Sequence, residues 1–187
     1  MSESPASAGF AIFETPIGAC GLVWNTRGIS GLRLPEGSAE KTRARMRQRR
    51  PGIPEAVPPP DIRRAIDRIL TLLKGEAVDL SDIALDLEAA PDFHRRVYEV
   101  ARTIPPGQTV TYGEIAKRLG VPHESREVGQ ALGRNPVAII VPCHRVLGAD
   151  GKMGGFSATG GVATKRRILE IEGASALSAG PLFDRLK

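Results

Sequence analysis

The sequence is poor in the residues that build disulfide scaffolds and metal centres. Its 187 residues include two cysteines, Cys20 and Cys143, and three histidines, His94, His123 and His144. The cysteines lie far apart and form no CxxC pair, and the histidines are scattered. A disulfide framework and a structural zinc site are therefore excluded as organising features. No apolar run approaches the ~20 residues of a membrane-spanning helix. The opening "MSESPASAGF" lacks a basic region followed by an apolar core, so no secretory signal is expected. A cytoplasmic protein with both cysteines reduced is the expectation.

What is present is ordinary globular material, 41% hydrophobic and 25% charged. The length suits one generous domain or two small ones. The net charge is +5 and the isoelectric point near 9.6. This leaves two readings open, an acidic partner such as nucleic acid or a basic protein with no polyanionic partner.

Along the chain, residues 1–8 are small and polar, and disorder is expected. "FAIFETP", "CGLVWNT" and "ISGLRLP" read as strands separated by glycine-bearing turns, an antiparallel meander. "SAEKTRARMRQRR" is a basic stretch of helical composition, open to a second DNA-binding reading or to that of a solvated helix face. "PGIPEAVPPP" is a linker or surface loop. "DIRRAIDRILTLLKG" places Ile62, Ile66, Ile69, Leu70 and Leu73 at amphipathic helix spacing, closed by Gly75. "VDLSDIALDLEA" allows an edge strand. Residues 1–88 are expected to form an α/β domain of antiparallel sheet plus helix.

From residue 89 the pattern changes to helices. "DFHRRVYEVARTI" turns Phe93, Val97, Val100 and Ile104 inward. Thr111 and Glu114 make a capping box for "TYGEIAKRLG", and Gly120 ends that helix. "REVGQALGR" is a second short helix, with Ser125 as its expected cap. Two short helices joined by a brief turn form a helix-turn-helix candidate. "VATKRRILEIEG" is the last clear helix, and the tail from 174 to 187 is expected to be loosely attached. Cys20, in a strand, reads as a small core residue.

Cys143 stands in "NPVAIIVPCHRVLGADG", after an apolar run and Pro142 and before His144. A cysteine attacks only as thiolate, and apolar burial alone would disable it. His144 can act as its base, directly or through a water. A carboxylate on the last helix, Glu172 or Glu170, can orient that base.

"PCHRV" preceded by "NPVAIIV" resembles the active-site run of the O6-alkylguanine-DNA alkyltransferases. The resemblance extends over about residues 91–173, through "FHRRVYEVARTIPPGQTVTYGEIAKRLG", "REVGQALGRNP" and "KRRILEIEG". It implies a ribonuclease-H-like N-terminal domain and a C-terminal domain, 89–187, that binds DNA and accepts the alkyl group. Cys143 would take the alkyl carbon from guanine O6 as a thioether, once per molecule, without metal or cofactor. His144 would be the base through water, with Glu172 behind it, and Asn135 would brace the loop. Tyr112 would help rotate the nucleotide and protonate the leaving guanine. Arg126 would fill the gap left by the extruded base, a task that suits a long planar cation. Thr111, Ser125 and Gly129 would also face DNA. Leu132, Val146, Phe156 and Ser157 would surround the base. The partner implied is duplex DNA carrying O6-alkylguanine, with O4-alkylthymine second, and the protein would act as a monomer.

Three features depart from the family pattern. Phe156 stands where tyrosine is frequent, in a loop, "GGFSATGG", two residues longer than usual. Glu124 and Glu127 flank Arg126, and carboxylates near phosphates cost affinity. Gln130 follows Gly129, where a second small residue would allow closer approach to a groove. Three rivals remain at this stage. A lesion-binding protein without transfer would lack Cys143. A helix-turn-helix regulator leaves "PCHRV" unexplained. A cysteine hydrolase would turn over many times.

Overall fold

The computed structural model describes residues 6–174. The expected disorder of residues 1–5 and the loose attachment of 175–187 fall outside them. Strands β1 (Gly9–Thr15), β2 (Gly18–Asn25) and β3 (Gly28–Arg33) form the expected antiparallel meander in the order β1-β2-β3. Alternation along β2 sends Cys20, Leu22 and Trp24 into the main core. Val23 points to the opposite face, where it meets Phe10 and Met46. Met46 belongs to α1 (Ala39–Arg49), whose first turn is capped by the Ser38 hydroxyl accepting the Lys41 N–H. Residues 6–8 are ordered, contrary to expectation, because the Ala6 carbonyl accepts the indole N–H of Trp24 at 3.1 Å.

The proline-rich segment is a surface element bonded to the sheet. The Phe10 N–H donates to the Pro54 carbonyl at 2.9 Å, and the Ala56 N–H to the Phe10 carbonyl at 3.0 Å. Its last proline, Pro60, opens α2 (Pro60–Leu73), where a missing N–H leaves no bond unmade. Ile62, Ile66, Ile69 and Leu73 are buried as the spacing predicts. Leu70 is only partly covered, and Leu72 is buried in its stead.

The outer edge of β3 is used twice. Ile29 pairs with residues 84–86, through its N–H to the Ala84 carbonyl at 3.0 Å and the Asp86 N–H to its own carbonyl at 2.8 Å. The edge strand allowed for residues 78–89 thus shrinks to one bridge at Leu85. Upstream, Asp79 folds its carboxylate onto the Ser81 N–H at 2.8 Å, a turn that competes with strand pairing. Gly28 permits the close approach. Its φ is +138°, and a Cβ there would lie 2.5 Å from the Ala84 carbonyl oxygen. Further along, the Leu32 N–H donates to the Pro136 carbonyl at 2.9 Å, and Leu32 accepts from Ala138 at 3.3 Å. The N-terminal sheet therefore holds the segment that leads to Cys143.

Helix α3 (Asp92–Arg102) buries Val97, Tyr98 and Ala101, followed by Ile104. Phe93 and Val100, expected inward, are half-buried, because the stripe rotates to admit Tyr98. The Tyr98 hydroxyl donates to the Ala131 carbonyl at 2.8 Å and ties α3 to α5 (Ser125–Gly133). Between them lie β4 (Val110–Thr111) and α4 (Tyr112–Arg118). β4 pairs in parallel with β5 (Val146–Leu147), so the strand before Tyr112 and the strand after Cys143 lie side by side. Helix α6 (Gly161–Ile171) closes the described chain. One apolar cluster runs from Cys20 and Trp24 through α2, α3 and α5 to Ile168 of α6.

Candidate active site

Asn135 fastens both ends of the turn that delivers Cys143. Its side-chain amide donates to the Val141 carbonyl at 2.8 Å, and its carbonyl oxygen accepts the Val137 N–H at 2.9 Å. Inside the turn Ile139 is buried at φ 71°, a left-handed conformation rare for a β-branched residue. Such a conformation costs about 1–3 kcal/mol and persists only where its surroundings enforce it. The Asn135 clamp, the Val141 N–H on the Val137 carbonyl and the β3 edge provide that enforcement. Pro142 then leads into a single 3-10 turn, Cys143–Arg145.

Those three side chains diverge. Cys143 is partly exposed at the surface of a pocket. Burial pushes its thiol up, while the Asn135 side chain and the Lys165 ammonium favour the thiolate. His144 and Arg145 both turn inward to Glu172, whose side chain is 1% exposed. Glu172 Oε1 lies 2.8 Å from His144 Nε2. Arg145 donates from Nε to Oε2 at 3.0 Å and from a terminal nitrogen to Oε1 at 2.8 Å. Its other terminal nitrogen donates to the Ile104 carbonyl at 2.6 Å. Burial alone would push the Glu172 carboxyl up, but His144 and Arg145 together hold it at about 2. Burial pushes His144 down, against the pull of Glu172, and keeps the imidazole neutral. With Glu172 ionised, Nε2 carries the hydrogen and donates, which leaves Nδ1 free to accept a proton.

Tyr112 opens α4 behind a complete capping box. The Thr111 hydroxyl accepts the Glu114 N–H at 3.1 Å, and the Glu114 carboxylate accepts the Thr111 N–H at 2.6 Å. Burial, and then the charge of a Cys143 thiolate, push the Tyr112 phenol up, so it stays protonated at neutral pH. Thr111, Tyr112, Ser125, Arg126, Gly129, Phe156 and Ser157 line one open hollow of about 830 Å³. Leu132, Asn135, Cys143, Phe156 and Ser157 line an adjoining pocket of about 60 Å³. Val146 is fully buried, paired with Val110. Ser125 does not cap α5. Glu124 occupies the cap position with no side-chain bond, and Ser125 is the first helical residue. Glu127 sits in the first turn of α5, where a carboxylate favours the helix dipole.

Two site residues were not singled out from the sequence. Arg145 proves to be the bidentate partner of Glu172. Lys165 is 1% exposed, donates to the Val146 carbonyl at 2.6 Å and lies 5.9 Å from the Tyr112 ring centroid. A signal existed for it. Lys165, Ile168, Leu169 and Glu172 share one helical face, so the lysine falls on the buried stripe. The longer loop is also tied down. The Thr159 hydroxyl donates to Glu36 at 2.5 Å, and Arg33 donates to the same carboxylate at 3.0 Å.

Residues 92–174 match the family described as 6-O-methylguanine DNA methyltransferase, DNA binding domain. A methylated-DNA–protein-cysteine methyltransferase of Mycobacterium bovis is 38% identical over 175 residues, 94% of this chain and 98% of its own. The chain belongs to the methylated-DNA–protein-cysteine methyltransferase family. A Methanothermobacter thermautotrophicus methyltransferase of the same name is 36% identical over 86% of this chain and 82% of its own. Among solved structures, the Mycobacterium tuberculosis O6-methylguanine methyltransferase superposes with a TM-score of 0.72 at 36% identity, covering 96% of this chain and 98% of that one. The Mycobacterium tuberculosis protein solved in complex with DNA gives 0.70 at 34% identity, covering 90% and 97%. The methyltransferase family thus accounts for both halves of the chain, including the sheet that lies outside the matched DNA-binding domain.

Proposed function

We propose that the protein repairs duplex DNA by moving the alkyl group of O6-alkylguanine onto Cys143, once per molecule. The observation that carries this reading is a cysteine opening on a pocket, backed by a buried His144–Glu172–Arg145 network. Near-complete coverage by methyltransferase relatives supports it. The Cys143 proton passes through a water to Nδ1 of His144. The sulfur–carbon bond then forms as the carbon–O6 bond breaks. Tyr112 supplies the proton that the leaving guanine needs, which fits a phenol kept protonated. The thioether offers no simple return path, so the protein is consumed.

The nucleotide must leave the stack to reach a sulfur set behind Phe156 and Ser157. In this reading α4 and α5 act as a helix-turn-helix, with Thr111, Ser125 and Gly129 against the backbone and Arg126 in the vacated place. Leu132, Phe156 and Ser157 surround the base, with Val146 buried behind them. The three-stranded sheet with α2 is read as a ribonuclease-H-like unit over residues 1–88. Residues 89–187 are the DNA-binding and acceptor unit, and the protein works as a monomer in the cytoplasm. The first test is stoichiometry. Transfer from an O6-methylguanine duplex should stop at one equivalent, and continued turnover would point to a hydrolase. Arg126→Ala should slow transfer from duplex several-fold more than reaction with free O6-benzylguanine, whereas equal losses would remove the finger role.

A further inference from the structure

The basic run of α1 is split by its partners. Arg43 and Arg47 pair with Glu55, and Arg45 bonds Gln48 and reaches Glu36. These three are engaged by carboxylates on the helix surface. The end of the run differs. Arg49 and Arg50 turn to a cleft of about 460 Å³ that also takes Arg33 and Arg134. Arg50 donates to the Ser30 carbonyl, and Arg33 is engaged by Glu36. Arg49 and Arg134 have no carboxylate partner among the described residues. Two unpaired guanidinium groups and two held ones thus face one concavity that no carboxylate lines.

The cleft is continuous with the DNA-facing hollow, for Gly133 and Ser157 line both. Arg134 directly follows α5, the helix read above as lying against the duplex. A strand that runs past the C-terminal end of α5 meets the arginines of α1 next. We propose that this cleft binds the sugar-phosphate backbone of the same DNA, flanking the extruded nucleotide. The N-terminal half would then contribute Arg49, and Arg33 and Arg50 behind it, to a surface that the matched domain of residues 92–174 does not include. The inference rests on the duplex-repair reading. The occupant follows from charge complementarity and from continuity with the hollow that receives the base. Guanidinium groups suit phosphate because they donate in a planar fork.

Salt dependence is the readout, since the slope of log affinity against log salt falls by about 0.9 for each phosphate left unneutralised. Binding of an undamaged and an O6-methylguanine duplex is measured across salt for the full chain. The double variant Arg49→Ala/Arg134→Ala should lower the slope by about 1.8 on both duplexes, and Arg49→Ala alone by about 0.9. Arg49→Lys/Arg134→Lys should keep most of the slope. Arg43→Ala/Arg47→Ala, which removes paired arginines, should leave it unchanged. The single Arg49 variant, away from the Asn135 turn, guards against a folding loss at Arg134. An unaltered slope in both alanine variants, or an equal drop in the Arg43/Arg47 control, overturns the proposal. Failure of the wild-type protein to methylate itself on the damaged duplex would instead sink the repair reading on which it stands.

Discussion

Glu172 satisfies the buried Arg145 guanidinium and the neutral His144 imidazole with one carboxylate, and its protonation governs the network. Its carboxyl is held at about 2, below its ordinary 4.5. A depressed carboxyl adds stability above its unfolded value, and that stability is lost as pH falls from about 4.5 through about 2. A shift of this size is worth about 3 kcal/mol. Glu172→Gln leaves the Arg145 guanidinium buried without its countercharge, a loss of about 3–5 kcal/mol for a broken buried pair. Urea unfolding at pH 7 should show this gap, and the gap should narrow as pH falls below 4. A gap independent of pH would mean that the charge of Glu172 contributes nothing. At this scale Cys143, His144 and Glu172 were legible because they sit in a short local run and at a helix end. Arg145 was not, because its role depends on a helix 27 residues away.

Two elements, α4 and the pocket loop, position the chemistry. The Thr111–Glu114 box was readable from four residues of sequence. Thr111→Ala removes its hydroxyl half and should cost about 1 kcal/mol, measured by thermal or urea unfolding. No loss would mean that β4 pairing alone fixes the start of α4. The loop was read as longer than usual, but its tether from Thr159 to Glu36 joins positions 123 apart and has no local pattern. Gly154 has the same character. A Cβ there would lie 2.5 Å from the Tyr112 hydroxyl. Gly154→Ala should displace that phenol and slow alkyl transfer from duplex while leaving global stability close to wild type. An unchanged transfer rate would show that the Tyr112 position is not critical. The left-handed Ile139 was equally invisible, since nothing in "VAIIV" announces a turn inside an apolar run. The turn exists because Asn135 and the edge of β3 hold both flanks.

Across the whole molecule, the halves that composition separates are joined by a continuous core and by the edge of β3. The sheet does not merely precede the site. Its strand β3 pairs with residues 136–138 and supplies Leu32 and Arg33 to the pocket of Cys143, and the residues just after it add Leu34 and anchor the loop through Glu36. Sequence periodicity located the strands and helices but could not show that pairing, which is non-local and set by β3 having one free edge. Net charge gave only an even choice about nucleic acid. The distribution of arginines, paired on the outer face of α1 and unpaired at its end, sharpens it. In the proposed reaction one sulfur atom, that of Cys143, is the final resting place of the alkyl group. The direct measurement is mass spectrometry of the protein after incubation with an O6-methylguanine duplex. A gain of one methylene mass is expected on the peptide carrying Cys143, absent in Cys143→Ala and retained in Cys20→Ala, whose buried thiol is pushed up to about 12. A lesion-bound protein of unchanged mass, or the added mass on any other residue, would contradict it.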